Sequence, residues 1–210
     1  MSKIAIVGCG PGAASYLTPL ARQTVEQAEA LVGARRWLDL FPESKAERIA
    51  VTADIQKALN EIAARQARQR IAVLVSGDPG LCSFAQPVIK RFGLAACEII
   101  PGISSVQVAF ARLGLDWLDA RFLSAHHHDP DMNFATVATA SKIAILAGYE
   151  GAMSWIARFA STLSPDYRIF ICENLTLNSE RIYEVARPDL AALRNVSCAI
   201  VLLIRKDALP

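Results

Sequence analysis

Residues 4–18 read IAIVGCGPGAASYLT, and this stretch decides the fold class. An apolar run ends at Gly8, further glycines and a proline follow at once, and a helix-like segment resumes behind them. A buried strand that turns through glycines is typical of α/β proteins, in which ligands bind outside the carboxyl ends of the strands. The stretch therefore predicts an α/β fold and raises the question of which ligand this turn holds.

The same alternation continues along the chain. Short apolar, β-branched runs recur with helix-like segments between them, which indicates largely buried strands. Strands are predicted at residues 3–8, 30–33, 71–76, 97–100, 122–124, 142–147, 169–173 and 198–204. The segment 113–121 is the predicted boundary between an N-terminal αβα domain, residues 1–117, and a C-terminal αβα domain, residues 118–210.

Three segments have the pattern of helices. Between residues 52 and 68, Ile55, Leu59 and Ile62 recur at helical spacing, which predicts an amphipathic helix packed on a sheet. A second helix is expected after Pro101-Gly102, and a third over residues 151–163, where Ile156, Ala160 and Leu163 share one side.

The composition excludes several classes of protein. With 53% apolar and 20% charged residues the chain has ample material for a core, and 22 basic against 20 acidic residues argue against nucleic acid or an anionic membrane as partner. No apolar run approaches the length of a membrane span or of a signal-peptide core, so a cytoplasmic protein is expected. Five widely spaced cysteines (Cys9, Cys82, Cys97, Cys172 and Cys198) predict buried, reduced thiols.

Three glycine-bearing turns follow predicted strands: residues 8–12 (GCGPG), 76–80 (SGDPG) and 101–105 (PGISS). Because the carboxyl ends of parallel strands meet at one edge of a sheet, the three turns are expected to line one cleft. Asp78 places a carboxylate at the mouth of its strand, with two interpretations: a ligand contact, or the start of the next helix.

The first turn loosely matches the dinucleotide-binding pattern G-x-G-x-x-A, a weak signal by itself. Pro11 removes a backbone N–H where a pyrophosphate needs one, and no acidic residue follows the second strand to bind a ribose. Arg35 and Arg36 could instead favour a 2′-phosphate, so an NADP-dependent reductase stays open as an alternative.

Taken together and in order, VGCGPG, SGDPG and PGISS resemble the tetrapyrrole methylases, which transfer methyl groups from S-adenosylmethionine. The resemblance extends to the closing strand AIVLLI at residues 199–204. It implies two αβα domains with the cofactor in the cleft between them, usually in a homodimer.

Within that family, residues 101–117 (PGISSVQVAFARLGLDW) and 122–126 (FLSAH) resemble the branch that methylates C5 of precorrin-7 or cobalt-precorrin-7 on the route to cobalamin. Its members often have Ser-Leu-His-Gly-Arg where this chain has Ser124-Ala-His-His-His128, so His126 matches and the glycine and arginine do not. The resemblance implies a stand-alone C5 enzyme, with C15 methylation and decarboxylation on a separate polypeptide.

The resemblance also assigns site residues. It places the following at the cofactor: Pro11, Gly77, Asp78, Leu81, Ser104, Ser105, Ala147, Leu175 and Thr176. For the substrate, a ring with many carboxylates, it implies basic residues at the rim, with Arg112, Arg121 and His126 as candidates and His126 as the candidate catalytic base. No metal site is expected in the histidine triplet, because consecutive residues of an extended segment point to opposite faces.

Two further alternatives remain besides the reductase. One is a relative of the same family with another acceptor, such as an RNA ribose or a modified histidine of an elongation factor. The other is a module that binds the tetrapyrrole without catalysis.

Overall fold

The computed structural model describes residues 3–126, 128–132, 134–193, 196 and 199–209. The chain divides into two compact units, Met1–Ser104 and Ser105–Pro210. This division falls earlier than the predicted boundary after residue 117. The reason is that the helix Ser105–Arg112 packs against the last strand of the second unit.

The first unit is a five-stranded parallel sheet with the strand order β3-β2-β4-β1-β5. Its strands are β1 (Ile4–Gly8), β2 (Ala30–Gly33), β3 (Glu47–Ala50), β4 (Ile71–Val75) and β5 (Cys97–Ile100). Its helices are α1 (Pro19–Glu26), α2 (Arg35–Leu38), α3 (Ile55–Arg65) and α4 (Ala85–Phe92).

Both faces of this sheet are buried, as the continuous apolar strands predict. Ala5 and Val7 of β1 face the cluster that contains α1 and α2, whereas Ile4 and Ile6 face the cluster that contains α3 and α4. Helices on both faces of a parallel sheet confirm the αβα arrangement for this unit. Every strand that borders β1 runs parallel to it, so the turns after β1, β4 and β5 lie at the same edge.

The second unit is a mixed five-stranded sheet with the order β6-β7-β10-β8-β9, in which β6 and β7 are parallel and the other neighbours antiparallel. Its strands are β6 (Arg121–Ala125), β7 (Lys142–Ala147), β8 (Tyr167–Glu173), β9 (Arg181–Val185) and β10 (Ala199–Arg205). Its helices are α5 (Ser105–Arg112), α6 (Phe134–Val137) and α7 (Ala152–Thr162). One face of the sheet packs on α7, while α5 lies against β10.

The predicted strands are all present, with ends that differ by a few residues; the first residue of the last one, Cys198, lies outside the described residues. Two strands, β3 and β9, were not expected. Both lie at sheet edges and expose charged side chains, so they lack the apolar run that revealed the others.

Two smaller expectations were wrong. Ile55 begins α3 and is 45% exposed, although Leu59 and Ile62 are buried as predicted. Cys9, Cys97 and Cys172 are buried thiols, but Cys82 is exposed because it follows the turn at the end of β4.

None of the helices in the described part of the chain combines the length and the apolar character that crossing a membrane requires.

Candidate functional site

The turns after β1 (residues 8–12, the β1 turn), β4 (residues 76–81, the β4 turn) and β5 (residues 101–105, the β5 turn) are joined by backbone contacts. Gly10 and Gly77 form an isolated antiparallel bridge, in which Gly77 N–H donates to the Gly10 carbonyl at 2.9 Å and Gly10 N–H donates to the Gly77 carbonyl at 3.3 Å. Gly10 and Gly77 have φ angles of 72° and 59°, which glycine adopts without strain. The first two turns are therefore locked to each other.

The β5 turn packs against the other two so closely that side chains are excluded. A Cβ atom added to Gly102 would lie 2.3 Å from the Gly77 carbonyl oxygen, and one added to Gly8 would lie 2.6 Å from the Gly102 nitrogen. These glycines permit backbone to touch backbone. The three turns predicted to share an edge thus form one interlocked group, which we call the first edge.

Asp78 fastens this group with both oxygens of its carboxylate. Oδ1 accepts a hydrogen bond from Gly80 N–H at 2.8 Å, and Oδ2 accepts one from Gly102 N–H at 3.1 Å. The interpretation of Asp78 as the start of the next helix is wrong, because α4 is capped at Phe84. A contact between Asp78 and the cofactor stays a prediction, and the structure adds a role as the link between two turns.

The remaining candidates in the first edge are apolar or hydroxyl-bearing. Pro11 and Leu81 are half-buried, and Leu81 N–H donates to the Asp78 carbonyl at 3.1 Å. Ser104 is buried at 6% exposure, and Ser105 is the first residue of α5. A contact of any of these residues with the cofactor stays a prediction.

His126 and Ala147 lie at one edge of the second sheet. The parallel register pairs Ala125 with Ala147, and Gly148 N–H donates to the Ala125 carbonyl at 3.0 Å, so the ends of β6 and β7 lie side by side. The His126 ring lies over Gly148, since an added Cβ there would lie 2.0 Å from the imidazole Nδ1. A histidine and a glycine therefore share this edge through close packing that the sequence did not reveal.

The turn after β8, residues 174–180 (the β8 turn), lies at the same edge. Ala199 of β10 pairs with both Ala147 and Glu173, which brings the ends of β7 and β8 to one level, about 10 Å apart across two strand spacings. Leu175 is buried at 3% exposure, whereas Thr176 is partly exposed. We call His126, Ala147, Gly148 and the β8 turn the second edge.

Charged side chains hold the second edge in shape. Glu180 accepts hydrogen bonds from Thr176 N–H at 2.5 Å and from Arg112 Nε at 2.7 Å. The Arg112 guanidinium lowers the pKa of the Glu180 carboxyl below its ordinary value, since it stabilises the charged form. Glu173, at 1% exposure, pairs with Arg181 at 2.7 Å.

The predicted basic rim is only partly assembled. Arg112 is engaged with Glu180, and Arg121 lies at the start of β6, about 16 Å along the strand from His126. The structure therefore does not bring Arg121 and His126 together, and a substrate contact for either arginine stays a prediction. His127 lies outside the described residues; among the described ones, no three His, Cys, Asp or Glu side chains form a group that could hold a metal ion.

The buried thiols are not candidates for catalysis. Burial raises the pKa of both Cys9 and Cys172 to about 12, so neither thiol ionises near neutral pH.

The strand order argues against a dinucleotide. In the Rossmann order strand 2 lies next to strand 1, whereas here β4 lies between β1 and β2, so Arg35 and Arg36 begin α2 about 10 Å away from β1. Only a three-residue 3-10 helix, Ala14–Tyr16, follows the β1 turn directly, and the first α-helix begins at Pro19, so the N-terminus of α1 does not meet the turn as the pyrophosphate-binding helix of a Rossmann fold does.

Comparison with known proteins identifies the family. The model of the Tetrapyrrole (Corrin/Porphyrin) Methylases matches residues 3–191. The chain belongs to this family. The expected family, α/β fold and enzyme class, a methyltransferase, are thereby confirmed.

Two curated relatives of this tetrapyrrole methylase cover most of its length. A cobalt-precorrin-7 C(5)-methyltransferase of Salmonella typhimurium is 34% identical over 181 residues, covering 86% of this chain and 89% of the relative. A probable cobalt-precorrin-7 C(5)-methyltransferase of Methanocaldococcus jannaschii is 30% identical over 202 residues, covering 90% and 94%.

Solved structures agree on the fold. A precorrin-6Y methylase of Archaeoglobus fulgidus, a cobalamin biosynthesis protein, superposes with a TM-score of 0.76 at 25% identity, covering 97% of this chain and 98% of that one. A uroporphyrin-III C-methyltransferase of Thermus thermophilus, complexed with S-adenosylhomocysteine, gives a TM-score of 0.77 at 18% identity, covering 97% and 92%.

The polar groups of the first edge fit the chemistry of S-adenosylmethionine. The three turns contain no lysine or arginine, and they offer backbone groups, the hydroxyls of Ser76, Ser104 and Ser105, and the carboxylate of Asp78. Such a set suits a ligand without phosphate, whose adenosine and amino-acid parts bind through a few placed polar groups among apolar walls.

Proposed function

We propose that this methylase transfers a methyl group from S-adenosylmethionine to C5 of cobalt-precorrin-7 or precorrin-7 in cobalamin biosynthesis. The observation that carries the proposal is that a bacterial and an archaeal relative, each matched over most of its length, have the same named activity. The resemblance of residues 122–126, including His126, to the pattern of that branch agrees with it.

The first edge and the β8 turn are the proposed cofactor site. Pro11, Leu81 and Leu175 would supply apolar walls, while Ser104, Ser105 and the backbone of the β4 turn would hold the polar parts. When bound, S-adenosylmethionine supplies an electrophilic methyl group. The interlocked turns contribute by fixing their own geometry before the ligand arrives, which favours in-line orientation of the two reactants.

His126 is the proposed catalytic base. Its Nδ1 side faces Gly148, so Nε2 is the ring nitrogen that would take the proton lost from the macrocycle. A positioned base of this kind contributes about 10²–10⁴-fold to a rate. Arg112 and Arg121 are the proposed contacts for substrate carboxylates, although Arg112 already pairs with Glu180.

The experiment measures product mass. Purified protein is incubated with S-adenosylmethionine and either precorrin-7 or its cobalt complex, and the expected result is a mass gain of one methyl group. A failure to bind S-adenosylhomocysteine in a calorimetric titration would rule out the proposal. Binding without transfer to either ring would instead select another acceptor within the family.

We further propose a cytoplasmic homodimer that works beside a separate C15-methylating and decarboxylating enzyme. Membership of the tetrapyrrole methylase family supports these assignments. Light scattering on the eluted protein tests the dimer, since a particle of one chain mass at micromolar concentration would contradict it.

A further inference from the structure

The β8 turn contains two residues in an unusual backbone conformation. Asn174 has a φ of 50° and Thr176 a φ of 72°, both in the left-handed region. Asparagine adopts this region with some ease, but a β-branched residue such as threonine rarely does. The strain at Thr176 must therefore be compensated by a contact nearby.

Glu180 makes that contact. Its Oε2 accepts the hydrogen bond from Thr176 N–H at 2.5 Å, and its own N–H donates to the Leu177 carbonyl at 2.9 Å, which closes the turn on itself. With its side chain only 22% exposed, the carboxylate is partly shielded from water. Arg112 holds it through Nε to Oε1 at 2.7 Å and Nη2 to Oε2 at 3.3 Å.

This ion pair connects two parts of the proposed cofactor site within the second unit. Arg112 is the last residue of α5, and Ser105 in the β5 turn is its first, about 10 Å away along the helix axis. A rigid helix thus has a proposed cofactor contact at one end and holds the turn with two more, Leu175 and Thr176, at the other.

We propose that Glu180, held by Arg112, is a positioning residue that keeps the β8 turn in the left-handed conformation required for cofactor binding. This inference rests on the proposed function in one respect only, the identity of the ligand. It assigns Arg112 a role in shaping the cofactor site, beside the substrate contact suggested by the sequence.

The test uses Thr176→Gly, because glycine adopts a positive φ without strain and makes the clamp dispensable. Glu180→Ala is made in the wild-type and in the Thr176→Gly background. In the first it should lower the melting temperature by about 2–4 °C and weaken S-adenosylhomocysteine binding about tenfold. In the glycine background both losses should fall to less than about half of those values.

Glu184→Ala is the matched control, since Glu184 on β9 forms a two-pronged ion pair with Arg168 on β8 and lies outside the β8 turn. Its effect should be the same in both backgrounds. Equal losses from Glu180→Ala in the two backgrounds would overturn the proposal. If the wild-type protein binds no S-adenosylhomocysteine, the proposed function fails, and the melting temperatures alone decide whether Glu180 holds the turn.

Discussion

The first edge and the second edge of this methylase are shaped by different kinds of interaction. At the first edge backbone meets backbone: Gly10 bridges Gly77, and Gly8 and Gly102 leave no room for a Cβ atom. At the second edge side chains make the contacts that set its shape: His126 lies over Gly148, and Glu180 holds a strained turn through a hydrogen bond from Thr176 N–H. The first arrangement resists any added atom, whereas the second depends on pairs of side chains that can be removed one at a time.

The largest effect is expected from adding one carbon atom to the first edge. In Gly102→Ala the new Cβ would lie 2.3 Å from the Gly77 carbonyl oxygen and 2.8 Å from Gly8 Cα, and both are backbone atoms that cannot rotate away. We expect a loss of about 3 kcal/mol in the free energy of unfolding, measured in urea, together with weaker binding of S-adenosylhomocysteine.

Gly80→Ala is the control for that substitution. Its added Cβ would meet only the Asp78 Oδ1 atom, at 3.0 Å, so a much smaller loss is expected. Equal destabilisation by the two variants would show that the contact between the turns is not what makes Gly102 necessary.

A smaller but more selective effect is expected at the second edge. Gly148→Ala would push the His126 ring from its place, because the added Cβ would lie 2.0 Å from Nδ1. The ring is the end of a side chain that can rotate, so the fold should survive while methyl transfer slows about 100-fold. In a His126→Ala background the same substitution should cause no further loss of rate; an undiminished loss there would exclude His126 as the group displaced.

The contrast between the edges explains what the sequence could predict. Glycine and proline in GCGPG, SGDPG and PGISS report local backbone geometry, so the three turns, their shared edge and the αβα layers of the first unit were predictable. Glu180 was missed because it belongs to no motif and its partner Arg112 is 68 residues away along the chain. Gly148 was missed for the same reason, since only the register of β6 and β7 brings it to His126.

Asp78 tests whether the first edge also depends on a side chain. In Asp78→Asn an amide NH2 group replaces one carboxylate oxygen. This group cannot accept a hydrogen bond, so the N–H of Gly80 or Gly102 loses its partner. We expect the free energy of unfolding to fall by about 1–2 kcal/mol. Asp54→Asn is the matched control: Asp54 caps α3 by accepting from Lys57 N–H, a role that asparagine fills equally well. Similar losses in the two variants would contradict a link between turns.

The smallest effect concerns pH at the second edge. The pKa of Glu180 is lowered below its ordinary value of 4.5, chiefly by the hydrogen bond from Arg112, so the charged form is favoured in the folded state. Its stabilisation is therefore present above the unfolded-state pKa and is lost as the pH falls through the lower, folded-state pKa.

Relative to Glu180→Gln, the wild type should be more stable by less than about 1 kcal/mol at pH 7, because the Arg112 side chain is 38% exposed and solvent screens the pair. Urea unfolding of both proteins between pH 7 and pH 3 measures the difference, which should shrink below pH 4.5. A difference that stays constant over that range would mean that Glu180 acts through its shape and its hydrogen bond to Thr176, with no contribution from its charge.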